Sequence, residues 1–236
     1  MKAVLLDLDD TLLDYSSCAA QCWIEACAAG AGALDQTVLL AELDRARRWF
    51  WSDAERHRRE RVDMVRAWTT IVAHALEGCG AADPRRAAAV AEHFAARRRT
   101  LMQLFPEARE FLSALRARGV PLALVTNGDA REQRDKIQRH GLASFFEAIL
   151  IEGEMGVGKP EAVVYRRALD ALGVAAGPDV WMVGDNLEWD VAGSQRVGLR
   201  AAWIDRPGVG LPPDATVKPD RIVRALGELT RVTVTP

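Results

Sequence analysis

Two aspartates near the amino terminus, Asp7 and Asp9, have a spacing and surroundings that could support chemistry. They lie at the end of the short apolar run 3–8, which predicts a buried parallel strand. Strand side chains alternate between faces, so positions two apart point the same way. Two carboxylates at a poorly solvated strand end need a cation or a proton between them. The pair therefore indicates a nucleophile with an acid–base partner, or a metal site, and a capped strand end with a polar turn is the simpler alternative.

A hydroxyl and an amide follow in the same way at the end of a second apolar run, 121–126. Thr126 ends this predicted strand, and Asn127 and Gly128 come directly after it. A hydroxyl together with exposed backbone N–H groups can hold the oxygens of a phosphate. Thr-Asn-Gly is also an ordinary turn sequence. This segment alone leaves both interpretations open.

The segment 153–159 delivers a lysine, Lys159, through a glycine-rich loop. Its spacing fits the nucleotide-binding pattern GxxxxGK, but Pro160 stands where that pattern needs a magnesium-binding hydroxyl. Glu154 would also place a negative charge inside a phosphate cradle. The segment is therefore better interpreted as a loop that supplies Lys159 as a fixed counter-charge, with Pro160 beginning a helix. A flexible loop with a solvated lysine is the alternative.

A second pair of acidic residues, Asp185 and Asp190, follows the apolar run 180–183, and Asn186 lies between them. Carboxylates at the end of a buried strand can ligate Mg²⁺, which prefers carboxylate oxygens and retained waters. Asp190 taken alone could instead cap the amino terminus of a helix. Asp185 has no equally good structural explanation.

The elements that position these residues alternate between strands and helices, which predicts a doubly wound parallel sheet of the α/β class. Predicted strands cover 3–8, 121–126, 148–151, 180–183 and 201–204, and predicted helices cover 106–118, 131–140, 161–172, 191–197 and 221–229. Between the first strand and the remainder, alanine, arginine and tryptophan dominate and strand-like runs disappear. We therefore expect a Rossmann-like core of residues 1–14 and 106–236, and an inserted cap of four helices over 15–105. In such sheets ligands bind at the carboxyl ends of the strands.

The composition indicates which binding partners and which cellular compartment to expect. The chain has 236 residues, with 31 basic and 33 acidic side chains and a net charge of -2. This balance argues against a nucleic-acid partner or an anionic membrane surface. No apolar run is long enough for a membrane span or a signal peptide. The spacing of the four cysteines indicates reduced thiols, so we expect a cytoplasmic protein, either a monomer or a homodimer.

Taken together and in this chain order, the four groups resemble the motifs of the haloacid dehalogenase superfamily of phosphohydrolases. Asp7-Leu8-Asp9-Asp10-Thr11 matches the first motif, Thr126 the second, Lys159 the third, and Asp185 with Asp190 the fourth. Family members with a helical cap carry it just after the first motif, where the insert lies here. The stretch 126–160 is most similar to the nucleotidase and N-acylneuraminate-9-phosphatase relatives.

The resemblance implies a role for each of the first acids. Asp7 would attack phosphorus and form an aspartyl-phosphate. Asp9 would protonate the leaving alcohol and later deprotonate the attacking water. Mg²⁺ would lie between Asp7, the Asp9 backbone carbonyl and Asp185, neutralising charge on the phosphoryl oxygens.

The remaining motif residues would bind and orient. Thr126, with the Asn127 backbone, would hold the phosphate, and Lys159 would contact both the phosphate and the nucleophile. Asn186 and Asp190 would stand behind the metal ligands, with Asp190 orienting Lys159 or a metal-bound water.

Several reactions remain open within the resemblance. The leading prediction is a magnesium-dependent phosphatase for a small phosphorylated metabolite. Asp9 argues against a dehalogenase, because dehalogenases of this fold lack that aspartate. No lysine lies between Lys2 and Lys136, so a cap lysine for phosphonate cleavage is missing. A phosphomutase, or a binding or regulatory protein that hardly turns over, stays possible, and the sequence does not identify the substrate.

Overall fold

Two compact units make up the chain in the computed structural model, which describes residues 1–230. One unit, the α/β core, comprises Met1–Asp14 together with the chain from Gln103 onward. The other, the helical insert, is Tyr15–Met102. The core resumes slightly before residue 106 because Gln103–Leu104 pairs antiparallel with Leu13–Asp14. This two-stranded ribbon sets where the first segment of the core ends and the second begins.

A six-stranded parallel sheet forms the middle of the core. The strands of this sheet and of the ribbon are β1 (Ala3–Leu6), β2 (Leu13–Asp14), β3 (Gln103–Leu104), β4 (Leu122–Thr126), β5 (Ala148–Ile151), β6 (Val180–Gly184), β7 (Arg200–Ile204) and β8 (Arg221–Val223). Leu6 of β1 lies in register with Leu124 on one side and Val183 on the other. The residues that follow β1, β4 and β6 therefore meet at one edge of the sheet.

The strand order confirms the predicted doubly wound α/β class. Across the sheet the order is β5-β4-β1-β6-β7-β8. From β1 the chain builds outward through β4 and β5, and then returns to the opposite side of β1 for the last three strands. The direction of winding reverses beside β1, and the carboxyl end of such a switch point is where open α/β sheets bind ligands.

The insert contains five helices rather than the four expected. They are α1 (Ala19–Gly30), α2 (Gln36–Trp51), α3 (Ala54–Glu60), α4 (Met64–Gly78) and α5 (Pro84–Leu101). The unexpected helix is α3, which buries no side chain and therefore carries no apolar periodicity to reveal it. Its start is set locally, because the Asp53 side chain accepts a hydrogen bond from the Arg56 N–H. The Asp83 side chain caps the amino terminus of α5, and Pro84 is the first residue of this helix.

Aromatic side chains organise the core of the insert. Trp23 stacks on Phe94 with ring centroids 3.6 Å apart, and Trp68 meets Phe94 edge-on at 5.0 Å. Such pairs add roughly 0.5–1.5 kcal/mol to the burial of the rings themselves. Trp49, by contrast, is 42% exposed. The tryptophans of the insert therefore divide between core and surface.

The α/β core also contains helices, which lie along the chain between and after its strands. They are α6 (Ala108–Ala117), α7 (Ala130–Arg139), α8 (Glu152–Met155), α9 (Ala162–Leu172), α10 (Gly193–Gln195) and α11 (Gly227–Thr230). In α9 the stripe Val164, Tyr165, Ala168 and Leu169 packs on the sheet, and burying each large side chain contributes about 1.5–3 kcal/mol. Gly173 ends this helix with a φ of +66°, which a residue without Cβ adopts freely.

Two predicted helices differ from the structure. The segment 221–229 is not one helix, because Arg221–Val223 forms β8 beside β7 and helix begins only at Gly227. Ile222 is 46% exposed and Val223 only 6%, an alternation typical of a strand that a longer apolar window obscures. The helix expected over 191–197 starts earlier, as the π-helix Leu187–Ala192, and continues into α10. Within residues 1–230 no helix is long and apolar enough to cross a membrane.

Candidate active site

Lys159 lies at the centre of a buried cluster of charges at the carboxyl edge of the sheet. Its Nζ is 2.7 Å from Asp7 Oδ1 and 2.6 Å from Asp190 Oδ1. Burial alone would lower the pKa of Lys159, but the carboxylates of Asp190 and Asp7 outweigh burial and raise the pKa. Lys159 is therefore a fixed ammonium that contacts two of the predicted acids, and it is not a solvated lysine in a loop.

Asn127 sets the position of Lys159 through two hydrogen bonds to its backbone. The Lys159 N–H donates to Asn127 Oδ1 at 2.7 Å, and Asn127 Nδ2 donates to the Lys159 carbonyl at 2.9 Å. A Cβ at Gly158 would lie 2.5 Å from both Asn127 Oδ1 and the Glu152 carboxyl carbon, so the loop needs glycine there. Glu152 in turn accepts a hydrogen bond from the Gly128 N–H at 3.0 Å. The segments after β4 and β5 are thereby joined side by side.

Asp7 is buried directly after β1. Its Oδ2 accepts a hydrogen bond from Thr11 Oγ1 at 3.1 Å, and its N–H donates to the Val183 carbonyl at 3.0 Å. Burial, opposed by the Lys159 ammonium and reinforced by the Asp190 carboxylate, raises the pKa of Asp7 to about 7. Both oxygens and the backbone of Asp7 are therefore held by protein groups.

The turn that follows β1 is fastened by an arginine from beyond β7. Arg206 Nη2 donates to the Thr11 carbonyl at 2.7 Å, and Arg206 Nη1 lies 2.9 Å from Glu107 Oε1. Asp10 adopts a left-handed φ of +57°, which aspartate tolerates better than most side chains. The tight turn places the Thr11 hydroxyl against the Asp7 carboxylate, and Asp9 lies in the chain between these two residues.

Asp190 has both carboxylate oxygens engaged. Oδ1 contacts Lys159, and Oδ2 accepts a hydrogen bond from the Asn186 N–H at 3.0 Å. Asn186 itself caps the π-helix, because its Oδ1 accepts from the N–H groups of Glu188 and Trp189. Asp190 is therefore not the helix cap considered from sequence, and its carboxylate joins the Lys159 ammonium to the Asn186 backbone.

Asp185 presents the open carboxylate of the site. Trp203 Nε1 donates to its backbone carbonyl at 2.7 Å, yet across residues 1–230 no group donates a hydrogen bond to the Asp185 carboxylate. Burial, with the negative charges of Asp7 and Asp190, raises the pKa of Asp185 to about 9. A carboxylate that accepts no hydrogen bond in such a place could bind an external cation.

The donor set fits a divalent cation. Oxygens of Asp7, Asp185 and Asp190 all lie within 4.8 Å of one another. These three carboxylates face the one ammonium of Lys159, which leaves a surplus of two negative charges when all are ionised. Hard oxygen donors with that surplus match Mg²⁺, and a bound ion would displace the protons that the raised pKa values of Asp7 and Asp185 imply. Asp185 has the most available oxygens of the three, because its carboxylate accepts no hydrogen bond within residues 1–230, whereas Asp7 and Asp190 each have both oxygens engaged.

Thr126 and Asp9 share a partner that the sequence analysis did not single out. Gln133 Nε2 lies 2.6 Å from Thr126 Oγ1 and 3.1 Å from Asp9 Oδ2. Asp9 is also held by Lys136, whose Nζ lies 2.9 and 2.8 Å from its two oxygens. Lys136 is one of only four lysines in the chain, and this rarity, with its spacing of three from Gln133, was the available signal.

Comparison with known proteins agrees with this geometry. A model of the haloacid dehalogenase-like hydrolases matches residues 1–198. A phosphoserine phosphatase from Thermus thermophilus is 38% identical over 97% of this chain and 98% of its own length. An N-acylneuraminate-9-phosphatase from Rattus norvegicus is 39% identical over 54% of this chain and 51% of its own length.

The fold is similar to that of a protein whose crystal structure has been solved. The HAD-hydrolase YfnB from Bacillus subtilis superposes with a TM-score of 0.78 over 99% of both chains, at 21% identity. Likeness at that identity concerns the fold, whereas the family match and the 38% identical relative concern the sequence. Since both cover most of the chain, the predicted relationship is confirmed, and the chain belongs to the haloacid dehalogenase-like hydrolases.

Proposed function

We propose that this hydrolase is a magnesium-dependent phosphatase that cleaves a small phosphomonoester through an aspartyl-phosphate on Asp7. The observation that carries the proposal is the arrangement of charges around Lys159. Asp7 is held at 2.7 Å by that ammonium, and Asp185 stands beside it with an open carboxylate. Asp7 can act as the nucleophile, Lys159 supplies a fixed positive charge, and the Asp185 carboxylate is available to a metal ion. Together they suit the transfer of a phosphoryl group, whose negative charge must be neutralised during the reaction.

The two chemical steps follow from the roles of the two aspartates. An Asp7 oxygen bonds to phosphorus while the bond from phosphorus to the leaving oxygen breaks, and the leaving oxygen takes a proton from Asp9. A water oxygen then bonds to phosphorus, the bond to Asp7 breaks, and Asp9 takes the proton of the water. Asp9 ends in its starting protonation state, so the cycle closes.

The other site residues bind and orient. Lys159 keeps its positive charge throughout and offsets negative charge on Asp7 and on the phosphoryl oxygens. Thr126, with the N–H groups that follow it, would contact the phosphate at the end of β4. Asp7, the Asp9 carbonyl and Asp185 would hold Mg²⁺, which when bound neutralises charge that builds on the phosphoryl oxygens.

Asp9 also supports phosphatase activity over the dehalogenase alternative. Its carboxylate is contacted by Lys136 and by Gln133, both buried on α7. Displacing halide needs no proton donor for the leaving group, and a dehalogenase would have no use for this arrangement. For a phosphomutase we find no specific supporting observation.

The class of substrate comes from the relatives and is part of the proposal. O-phosphoserine should be assayed first, because the relative named phosphoserine phosphatase aligns over nearly all of this chain. Sialic acid 9-phosphates, nucleotides, sugar phosphates and phosphoglycolate complete a useful panel. The net charge of -2 gives no reason to include nucleic acids.

The proposal is tested by hydrolysis of p-nitrophenyl phosphate and of this panel, with Mg²⁺ and after removal of metal by EDTA. We expect activity that disappears with EDTA, returns with Mg²⁺ and is supported poorly by Ca²⁺, which accepts larger and looser coordination. Full activity in a verified metal-free preparation would contradict the metal requirement. Mg²⁺ binding without turnover of any substrate would favour the binding or regulatory alternative.

A further inference from the structure

We infer that Lys136 and Gln133 are positioning residues that hold the Asp9 carboxylate in the orientation proton transfer requires. The inference rests on the proposed function, since it takes Asp9 as the proton donor and acceptor. Neither residue lies in the four motifs around Asp7, Thr126, Lys159 and Asp185. Both come from α7, the helix that follows β4.

Lys136 grips the carboxylate through both oxygens. Its Nζ lies 2.9 Å from Asp9 Oδ1 and 2.8 Å from Asp9 Oδ2. The lysine side chain is 6% exposed and the aspartate side chain 25% exposed, so protein encloses the ammonium while the carboxylate keeps an open side. Charge-assisted contact with both oxygens fixes the plane of the carboxylate, which cannot rotate without losing a hydrogen bond.

Gln133 ties the same carboxylate to the end of β4. Its buried Nε2 lies 3.1 Å from Asp9 Oδ2, 2.6 Å from Thr126 Oγ1 and 3.0 Å from the Asn127 carbonyl. The acid–base residue is thereby linked to the segment that would hold the phosphate. Gln133 and Lys136 are three positions apart, so they project from one face of α7 and approach Asp9 together.

Stability does not explain this pair of residues. Ile137 is buried on the same helix, so apolar side chains at 133 and 136 would also have somewhere to pack. A buried ion pair adds little net stability over apolar groups that replace both of its partners, so the contact between Lys136 and Asp9 is weak evidence for a stabilising role. The presence of Gln133 and Lys136 on this face of α7 therefore needs an explanation other than stability. Fixing the orientation of the Asp9 carboxylate is such an explanation.

A substrate whose leaving group needs no proton can distinguish a loss of Asp9 positioning from general damage to the site. p-Nitrophenolate leaves unprotonated, so formation of the aspartyl-phosphate from p-nitrophenyl phosphate should tolerate a misplaced Asp9. Attack of water on that intermediate still needs Asp9 as a base. A misoriented Asp9 should therefore slow breakdown of the intermediate by up to about 10²-fold, and should also slow its formation from an alkyl phosphate.

The experiment compares Lys136→Met, Gln133→Leu and Lys136→Arg by rapid quench and intact mass spectrometry, with Asp9→Asn as the reference. We expect the first two variants to accumulate phosphoenzyme with p-nitrophenyl phosphate, and Lys136→Arg to recover much of the normal breakdown rate. Adding Lys136→Met to Asp9→Asn should change little, because the group being positioned is already gone. Gln195→Leu and Lys218→Met are matched controls outside the site, and should behave as wild type.

Three outcomes would overturn the inference. Lys136→Met could slow the Asp9→Asn enzyme by the same factor as it slows wild type, or could slow formation and breakdown equally, or could turn over normally. If Lys136→Met does not fold, Gln133→Leu and its combination with Asp9→Asn decide by the same criteria. Failure of the proposed function looks different, because wild type itself would then form no phosphoenzyme on Asp7.

Discussion

Two buried lysines contact the acids of the site, and they do so in contrasting ways. Lys159 is shared by Asp7 and Asp190 next to the open Asp185, so negative charge is in surplus around it. Lys136, in contrast, contacts both oxygens of the Asp9 carboxylate. The surplus of negative charge around Lys159 fits a divalent cation, which could in turn neutralise an anionic substrate. Two aspartates only two positions apart thus have different charged surroundings, because each one contacts a different lysine.

Among the substitutions that test the difference between these two aspartates, Asp7→Asn is expected to have the largest effect. Removing the nucleophile should lower turnover by about 10⁴-fold or more and leave no phosphoenzyme with any substrate. Steady-state kinetics and intact mass spectrometry measure both quantities. The exposed Asp170→Asn in the same unit serves as the control. Normal turnover by Asp7→Asn would refute the assignment of the nucleophile.

A smaller and more selective loss is expected for Asp9→Asn. Removing the proton shuttle should cost about 10²–10⁴-fold in turnover. Phosphoenzyme should nevertheless form from p-nitrophenyl phosphate and accumulate, in contrast to Asp7→Asn. Intact mass after rapid mixing should show the gain of one phosphoryl group. If Asp7→Asn traps the phosphoryl group and Asp9→Asn does not, the two roles are exchanged.

The charge surplus around Lys159 predicts that Mg²⁺ binding depends on pH. In the metal-free protein the pKa of Asp185 is raised to about 9 and that of Asp7 to about 7, so protons compete with the ion. Binding should release protons and tighten as pH rises, by at least about tenfold between pH 6 and pH 8. Calorimetric titration in buffers of different ionisation enthalpy measures the affinity and the protons released. An affinity that does not change over this range would contradict the proposed ligands.

The smallest effect concerns stability without metal. Since the pKa of Asp185 is higher in the folded chain than in the unfolded one, its contribution to stability falls as pH rises from about 4 towards 9. Asp185→Asn removes that penalty. In EDTA at pH 8.5 the variant should gain about 1 kcal/mol, or roughly 2–4 °C in Tm, while it binds Mg²⁺ more weakly. Thermal unfolding at pH 5 is the internal control, where the gain should shrink, and a loss of stability at pH 8.5 would contradict this explanation.

Much of the fold could be predicted because the signals were local. The apolar run before Asp7 and the runs ending at Thr126 and near Asp185 each form a strand of the sheet. Parallel strands end at a common edge, so acids that follow separate strands were expected to meet. β8 was missed because its three residues are too few to show a period against the helical segment that follows.

The partners inside the site were harder to predict. The sequence predicts that the Asn127 backbone helps to hold phosphate, but it did not indicate that the Asn127 side chain fastens the backbone of Lys159. The sequence predicts that Asn186 stands behind the metal ligands, but it did not indicate that the Asn186 side chain caps a helix. Asn and Asp side chains serve caps, turns and ligands equally well, so residue type alone does not choose among these uses.

The sequence by itself determined which acids end which strands and that Lys159 comes to them from a glycine-rich loop. Apolar runs and the alternation of strands with helices are local patterns that can be identified along a single sequence. Only the tertiary structure decided that Lys159 would bridge Asp7 to Asp190, and that Asp9 would turn to Lys136. Those pairings join residues far apart in the chain, across distances of about 3 Å that depend on the packing of α7 and the loop after β5. A buried charge takes the partner that the fold brings within reach, and no local pattern records which partner that is.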